Sequence, residues 1–266
     1  MDKQLLYKFR DWGNTNHQKI LSESQIYFAT PLEFNDPFDC KIIPRYDLLN
    51  DNQKKMKLEE FLRLDNPNWS NKKIKVKAQR ILKEKKYDVE YLSREGEPSI
   101  RGVLSSIGIF SLAGNKTNIL LWSHYANSHK GFCVGFNKEL LLNNIKEEWM
   151  KIKIPPIFNR ITYQKEYPKI IPTPQINIKD FVEKPLFTKS IVWNYEEEFR
   201  VILLKSSSAT FIINQNVVEE ITLGSEIESD HREEIIALVK NNFAKAKIFQ
   251  AKKKFGYFEL QFDRIG

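Results

Sequence analysis

A long segment with helical periodicity, from about residue 47 to residue 98, interrupts a chain that otherwise contains strand-like apolar runs and shorter helical segments. Its apolar residues recur at helical spacing near Phe61 and again from residue 74 to residue 82, with Ser70 as a suitable N-cap. The turn formers Gly96 and Pro98 are expected to end it. Strands and helices do not alternate regularly, so a doubly wound parallel sheet is not expected. We predict a single α+β domain over residues 1–266, with a mixed, mostly antiparallel sheet, flanking helices and a charged helical insertion at about 47–98.

The predicted strands are short apolar runs bounded by turn residues. They lie at 5–10 and 25–29 before the insertion, and at 103–112, 132–136, 199–204, 218–223, 246–251 and 257–262 after it. Residues 210–213 form a further candidate strand, which we expect to pair with 199–204.

The composition excludes several classes of protein. Hydrophobic residues make up 41% of the chain, including 18 Phe and 10 Tyr, which is enough to bury a core and excludes global disorder. No apolar run approaches the roughly 20 residues that a membrane span needs, and the first residues lack the pattern of a signal peptide. The two cysteines, Cys40 and Cys133, cannot form a disulfide framework. These features predict a cytoplasmic protein without membrane contact.

The net charge of +8 is unevenly distributed. Much of it lies in the helical insertion, at Lys72, Lys73, Lys77 and Arg80 and their neighbours, and a second cluster lies at 252–254. One interpretation is a solvated helix face. The other is that these four side chains bind the phosphates of a nucleic acid.

A motif with two histidines follows the insertion: Trp122-Ser123-His124-Tyr125-Ala126-Asn127-Ser128-His129-Lys130-Gly131-Phe132-Cys133. A histidine there can act as an acid or a base near neutral pH, or it can simply interact with the last carbonyls of a helix. The spacing of His124, His129 and Cys133 matches no common zinc pattern, so no metal site is predicted. Cys133 lies in the middle of an apolar strand, where a buried and inert thiol is expected.

Three consecutive carboxylates, Glu196, Glu197 and Glu198, precede the apolar strand at 199–204. Strand alternation would place Glu196 and Glu198 on one face with Arg200, and Glu197 on the other. Clustered carboxylates repel one another, which lowers the stability of the fold. A protein that keeps such a cluster often uses it as a functional site. A Glu198–Arg200 ion pair on an edge strand is an equally simple interpretation.

The turn Phe34-Asn35-Asp36-Pro37-Phe38-Asp39 carries two carboxylates. Asp36 and Asp39 could bind a cation, but we expect them to cap the turn, as Asn and Asp commonly do before proline.

Taken together, these motifs resemble a bacterial family, domain-of-unknown-function family 2971. The resemblance rests on Leu6-Tyr7-Lys8-Phe9-Arg10, on the turn at 34–39, on Trp122-x-His124-Tyr125-Ala126 with His129 and Gly131-Phe132-Cys133, and on Trp193-x-x-Glu196-x-Glu198-x-Arg200. It implies no particular reaction.

The segment at 196–202 is also similar to the E-x-E strand entrance of the arginine-serine-glutamate ADP-ribosyltransferases. In that pattern an arginine ends the first strand, as Arg10 does, and a serine lies on a later strand, where Ser111 is the candidate. The Ser-Thr-Ser signature of those enzymes is absent, since Ser111 is followed by Leu112 and Ala113. The resemblance implies that NAD is the substrate.

The same resemblance assigns roles to individual residues. Glu198 would stabilise the positive charge that develops on the ribose, and Glu196 would orient or deprotonate the acceptor. Arg10 would hold the pyrophosphate. His124 and Tyr125 would line the nicotinamide pocket. On this hypothesis both glutamates are expected at the surface of a cleft.

Three functional hypotheses follow from the sequence. The first is an NAD-cleaving transferase or glycohydrolase that modifies a macromolecule, in the manner of a bacterial toxin or phage-defence effector. The second is a nucleic-acid-binding protein or nuclease that uses the basic insertion. The third is a non-enzymatic interaction module, for which replacement of Glu196 and Glu198 would leave biological output intact.

Overall fold

The computed structural model describes residues 4–84, 89–149, 154–173, 176–177, 179–206 and 208–266. Its strands are β1 Leu5–Arg10, β2 Gln25–Phe28, β3 Ile107–Leu112, β4 Phe132–Asn137, β5 Ile157–Arg160, β6 Thr162–Gln164, β7 Thr188–Ser190, β8 Phe199–Leu204, β9 Ala209–Ile212, β10 Val218–Leu223, β11 Lys247–Lys253 and β12 Leu260–Arg264. Its α-helices are α1 Thr15–Ser22, α2 Asp51–Asp65, α3 Asn71–Lys83, α4 Val89–Ser105, α5 Ile119–Tyr125, α6 Lys138–Trp149, α7 Lys184–Leu186 and α8 Ser229–Asn242.

The chain divides into two compact units. Unit 1 consists of Met1–Thr30, Ile107–Ile161 and Val192–Gly266, and unit 2 of Pro31–Ser106 and Thr162–Ile191. The helical segment predicted at 47–98 lies within unit 2. The single domain over 1–266 stays a prediction.

Mostly antiparallel sheets form the framework of unit 1. One sheet has the order β1-β4-β10-β11-β12, and a second has the order β3-β8-β5. The β10–β11 pair is parallel, and the other pairs of these two sheets are antiparallel. The predicted α+β fold with a mixed, mostly antiparallel sheet is therefore confirmed. The expected pairing of residues 210–213 with 199–204 is wrong, because β9 pairs with β2.

The main core of unit 1 lies against β4. Every residue of β4 is buried, because β1 and β10 pair with its two edges and α6 packs on it. Phe132, Val134 and Phe136 join Leu6 of β1 and Phe110 of β3 in this core. Full burial of such side chains contributes about 1.5–3 kcal/mol each.

Three amphipathic helices build unit 2. Tyr46, Phe61, Ala78 and Leu92 belong to its core, which α2, α3 and α4 supply together with the turn at Tyr46–Leu48. Ser70 caps α3 as predicted, since its side chain accepts from the N–H of Lys73.

The expectation that Gly96 and Pro98 end the helical segment is wrong. α4 continues through both residues to Ser105. Gly96 is buried, and a Cβ there would lie 2.4 Å from the Tyr46 hydroxyl, so close packing against that ring explains the glycine. The proline costs helix stability, but burial of Leu92 and Leu104 on either side favours continuation.

None of the described helices is long and apolar enough to cross a membrane.

Candidate functional site

β1 carries two cations on the face that it presents to the main core. Side chains alternate along a strand, so Leu6, Lys8 and Arg10 share a face, and Leu6 is a core residue. β1 pairs with β4 on one side, and Tyr7 is bridged to Ala113, just beyond β3, on the other. The register therefore brings both basic side chains to the junction of the five-stranded and three-stranded sheets of unit 1.

Lys8 spans this junction. Its Nζ donates to the backbone carbonyl of Ser111 at 2.6 Å. Burial lowers the pKa of Lys8 well below its ordinary value, and the positive charge of Arg10 lowers it further, while Glu198 and Glu196 oppose the change. We call Lys8, Arg10, Glu196, Glu198 and Arg200 the charged cluster, since these groups interact electrostatically. Ser111, predicted as a cofactor-binding residue, contributes its backbone oxygen to this cluster.

Arg10 is half-buried, and its guanidinium has no acceptor and no carboxylate partner among the described residues. Burial lowers the pKa of Arg10 to about 10. His17 lies nearby, and its Nδ1 accepts from the N–H of Asp11 at 3.3 Å. Burial, followed by the charge of Arg10, lowers the pKa of His17 to about 4. His17 is therefore neutral at pH 7. Because the guanidinium of Arg10 has no carboxylate partner among the described residues, its positive charge can attract an anion.

Glu198 and Arg200 form a buried ion pair. The Nε of Arg200 donates to Glu198 Oε1 at 2.6 Å, and its NH2 nitrogen donates to Oε2 at 3.1 Å. Arg200 is 0% exposed and Glu198 is 5% exposed. Arg200 pairs with Ser111 across the strands, and β8 lies between β3 and β5. The predicted ion pair is confirmed, but the edge-strand position is wrong because β8 is central in its sheet.

The prediction that strand alternation puts Glu196 and Glu198 on one face with Arg200 is wrong, because neither glutamate lies in the strand. β8 begins at Phe199, and the preceding residues Ile191–Glu196 form a 3₁₀ helix. Glu197 has a positive φ of 46°, and its side chain lies against Gly114. Glu196 and Glu198 flank this left-handed residue and lie outside β8, so both are buried without belonging to one strand face.

Glu196 is held by Tyr125, the last residue of α5. The phenol donates to Glu196 Oε1 at 2.7 Å. Burial raises the pKa of Tyr125 far above its ordinary value, and the adjacent charge of Glu196 raises it further. Glu196 is 4% exposed. The expectation that both glutamates lie at the surface of a cleft is therefore wrong for this conformation, because each is covered and already bonded to a neighbouring side chain.

Three aromatic rings lie close to one another near Glu196. They belong to His124, Trp193 and Tyr195, and we call them the aromatic shelf. The His124 and Trp193 ring centroids are 6.2 Å apart, and those of Trp193 and Tyr195 are 5.9 Å apart. His124 is exposed, and the other two rings are half-buried. Asn118, the N-cap of α5, donates to the backbone carbonyl of Tyr195 at 3.0 Å and so fixes the shelf to the helix.

The turn after α5 fixes the end of β1. Asn127, Ser128 and His129 all have positive φ. A Cβ on Gly131 would lie 2.0 Å from the backbone oxygen of Arg10, so only glycine fits there. Asn127 also donates to Asp11 at 3.2 Å. The strained turn of the histidine motif therefore positions the strand end that carries Arg10.

His129 and Cys133 do not join the charged cluster. His129 Nε2 lies 3.2 Å from Ser123 Oγ, and its ring stacks on Trp122. Cys133 is buried, and burial raises the pKa of its thiol well above the usual range, as expected for an inert cysteine. Within the described ranges, no group of three or more His, Cys, Asp or Glu side chains is arranged to hold a metal ion.

The turn at 34–39 lies in unit 2. Asp36 Oδ1 accepts from the N–H of Phe38 at 2.9 Å, which is the predicted cap. Asp39 is buried and forms an ion pair with Lys189 at 3.6 Å.

The predicted nucleic-acid-binding residues also lie in unit 2. Lys72, Lys73, Lys77 and Arg80 are all exposed on α3.

Sequence reasoning missed the roles of Lys8, His17, Trp193 and Tyr195. The alternation of β1 was a usable signal for Lys8, because it shares a face with Leu6 and Arg10. Trp193 was part of the motif that precedes β8, but no local pattern predicted its contact with His124, because that contact joins distant segments of the chain.

Comparisons with known proteins match the central part of the chain to one family. The model of a family described as "Protein of unknown function (DUF2971)" matches residues 121–201, from α5 into β8. The predicted resemblance to that family is confirmed over this stretch, which includes Tyr125, Glu196 and Glu198, while β1 and the 34–39 turn lie outside it. No curated protein and no solved structure matches the chain. The resemblance to ADP-ribosyltransferases stays a prediction, and the chain is similar to DUF2971 proteins over this central segment.

Proposed function

We propose that the chain is an enzyme that binds NAD at the charged cluster of unit 1 and cleaves the bond between nicotinamide and ribose. The observation that carries this proposal is the position of two cations, Lys8 and Arg10, on one strand face beside two buried carboxylates. In such an arrangement the basic side chains can bind an anion, and a carboxylate in the same cluster can act as an acid or a base.

The cations are assigned to the pyrophosphate. Arg10 has no carboxylate partner among the described residues, so an incoming phosphate would gain charge-assisted hydrogen bonds without displacing an internal ion pair. The Lys8 amine is held at the Ser111 carbonyl, on the same strand face as Arg10, where it adds hydrogen-bond donors to those of the guanidinium. The aromatic shelf is assigned to stacking against a flat ring of the ligand, which is nicotinamide in this proposal.

Glu196 is assigned as the catalytic carboxylate. When the glycosidic bond breaks, its electron pair leaves with nicotinamide, which departs neutral, and the positive charge passes to the ribose. The acceptor's oxygen or nitrogen then bonds to the ribose carbon, and Glu196 takes the acceptor's proton. Because Glu196 is 4% exposed, the side chains that cover it must move before the ligand can reach it.

Glu198 is assigned a positioning role, although the sequence predicted it as catalytic. Both of its oxygens accept from Arg200, so it is a fixed and neutralised charge rather than an available base. It holds Arg200 in place beside Ser111 and opposes the lowering of the pKa of Lys8.

The test is nicotinamide release from NAD by purified protein, measured by chromatography with and without a cell lysate as the source of acceptor. Glu196→Gln should abolish release while retaining the folded state, because glutamine can still accept from the Tyr125 hydroxyl. Glu197→Gln is the matched control, since it removes a neighbouring carboxylate outside the Tyr125 contact, and it should release nicotinamide at the native rate. Absence of release by folded native protein under both conditions would refute the proposal, as would equal rates for Glu196→Gln and the native chain.

A further inference from the structure

Helix α3 has an apolar face and an opposite face that is strongly basic. Ile74, Ala78 and Ile81 are buried, and Ala78 and Ile81 pack in the core of unit 2. The exposed positions carry six cations: Lys72, Lys73, Lys75, Lys77, Arg80 and Lys83. The helix Asn71–Lys83 contains no aspartate or glutamate. One helix thus presents six positive charges in a chain whose net charge is +8.

Most of this positive charge has no ion-pair partner among the residues that the structure describes. Of the six cations, Arg80 alone has an ion pair within the described part of the chain, with Glu84 at 2.7 Å. Like charges three or four residues apart on a helix repel one another. An anionic partner that contacts several of them would therefore relieve repulsion as well as gain attraction.

The second lysine cluster, on the terminal hairpin, is different. Lys252 pairs with Asp263 at 2.7 Å, Lys253 with Glu226 at 2.9 Å, and Lys254 with Glu259 at 2.7 Å. That cluster is neutralised by its own neighbours, so a basic sequence run alone does not produce an available anion-binding surface.

The basic face of α3 borders a shallow groove. The groove has a volume of about 430 Å³ and is lined by Trp69, Ser70 and Val76 together with four of the cations. The Nζ of Lys73 lies 3.9 Å from the centroid of the Trp69 ring, which places the aromatic ring among the charges. A half-buried indole between lysines can stack against a base or sugar while the lysines contact phosphates.

We propose that this basic face of α3 binds the phosphodiester backbone of a nucleic acid. Successive turns of the helix place cations about 5 Å apart along the axis, and the basic face extends over roughly 16 Å, which spans several phosphates of one strand. The face therefore fits an extended polyanion better than a single phosphate group.

An anionic membrane is a poorer fit for the same face. A helix that binds in the membrane interface must insert its apolar face among the lipids. The apolar face of α3 is already buried in the core of unit 2 and is not available for insertion.

The inference is independent of the proposed NAD chemistry and is tested without NAD. Fluorescence anisotropy would measure binding of the full chain to labelled double-stranded DNA, single-stranded RNA and single-stranded DNA of equal length, at several salt concentrations. About four phosphate contacts to duplex DNA predict that affinity falls by roughly 100-fold when salt increases fourfold. The combined variant Lys72→Gln/Lys73→Gln/Lys77→Gln should weaken binding at least tenfold and reduce the salt dependence.

Two matched variants show whether a loss of binding comes from this surface, rather than from the lower net charge or from a folding defect. Lys240→Gln/Lys245→Gln/Lys247→Gln removes the same charge from exposed lysines of unit 1 and should bind like the native chain. Lys72→Arg/Lys73→Arg/Lys77→Arg keeps the charge on α3 and should retain binding. The proposal is overturned if the native chain binds none of the three probes, if the two glutamine variants lose binding equally, or if the α3 glutamine variant binds like the native chain. Binding to phosphatidylserine vesicles in the absence of any nucleic-acid binding would overturn it as well.

Discussion

The guanidinium of Arg200 donates two hydrogen bonds to the carboxylate of Glu198, only two residues earlier in the chain, and both side chains are buried. The pair lies at the start of a central strand, where water cannot replace either partner. Each residue therefore depends on the other for its charge to be tolerated in the interior.

Glu198→Gln should destabilise the fold. It leaves Arg200 with a neutral partner in a buried position, and breaking a buried pair costs about 3–5 kcal/mol. Urea denaturation should show a lower free energy of unfolding, and Glu198→Leu/Arg200→Met, which removes both charges, should recover much of the loss. A Glu198→Gln midpoint equal to that of the native chain would contradict the assigned role. Loss of NAD turnover in this variant alone would therefore not identify Glu198 as catalytic.

Arg10→Met should leave stability unchanged or raise it by about 1 kcal/mol. The substitution removes a half-buried cation that has no carboxylate partner among the described residues, and it keeps much of the side-chain volume. In contrast, titration calorimetry should show that affinity for ADP-ribose falls at least about tenfold, since a hydrogen bond to a charged group contributes about 1.5–3 kcal/mol. Arg264→Met, at an exposed position, serves as the control. If Arg10→Met destabilised the chain and bound ADP-ribose normally, Arg10 would be a structural residue.

Gly131→Ala should be strongly destabilising, by more than about 2 kcal/mol. The new methyl group would meet the backbone oxygen of Arg10 at 2.0 Å, so the end of β1 must shift. Gly102→Ala is the matched control, because Gly102 lies within α4 and, apart from its chain neighbours and the backbone of its own helix, nothing lies within 4 Å of the added carbon. It should stabilise the chain by about 0.5–1 kcal/mol through helix propensity. Thermal unfolding of the two variants should move in opposite directions.

His17 should make stability depend on pH below neutrality. Burial and the charge of Arg10 lower its pKa from 6.5 to about 4, so the unfolded chain binds a proton in a pH range where the folded chain does not. Its contribution is fully present above pH 6.5 and is lost as the pH falls towards 4. The free energy of unfolding of the native chain should therefore fall more steeply from pH 7 to pH 5 than that of His17→Gln, by up to about 1 kcal/mol per pH unit. Parallel curves for the two proteins would contradict the assigned pKa.

Part of the candidate site was accessible from sequence. Arg10, Tyr125, Glu196 and Glu198 were named from local motifs, and the structure brings them into one unit. Their partners were less accessible. Lys8 meets Ser111 across 103 residues of chain, and Tyr125 meets Glu196 across 71 residues. No periodicity encodes such contacts, and the burial of Glu196 and Glu198 follows from them rather than from strand alternation.

The sequence by itself determined the features that depend on neighbouring residues. It placed β1, β4 and β8, the Ser70 cap and the amphipathic division of α3, because strand and helix periodicities and capping act over a few residues. Tertiary structure decided which strands pair, as when β9 joins β2, and whether Pro98 ends a helix. It also decided which charges are compensated. Those outcomes depend on burial and on partners far away in the chain, whose free energies exceed the local preferences that a sequence pattern records.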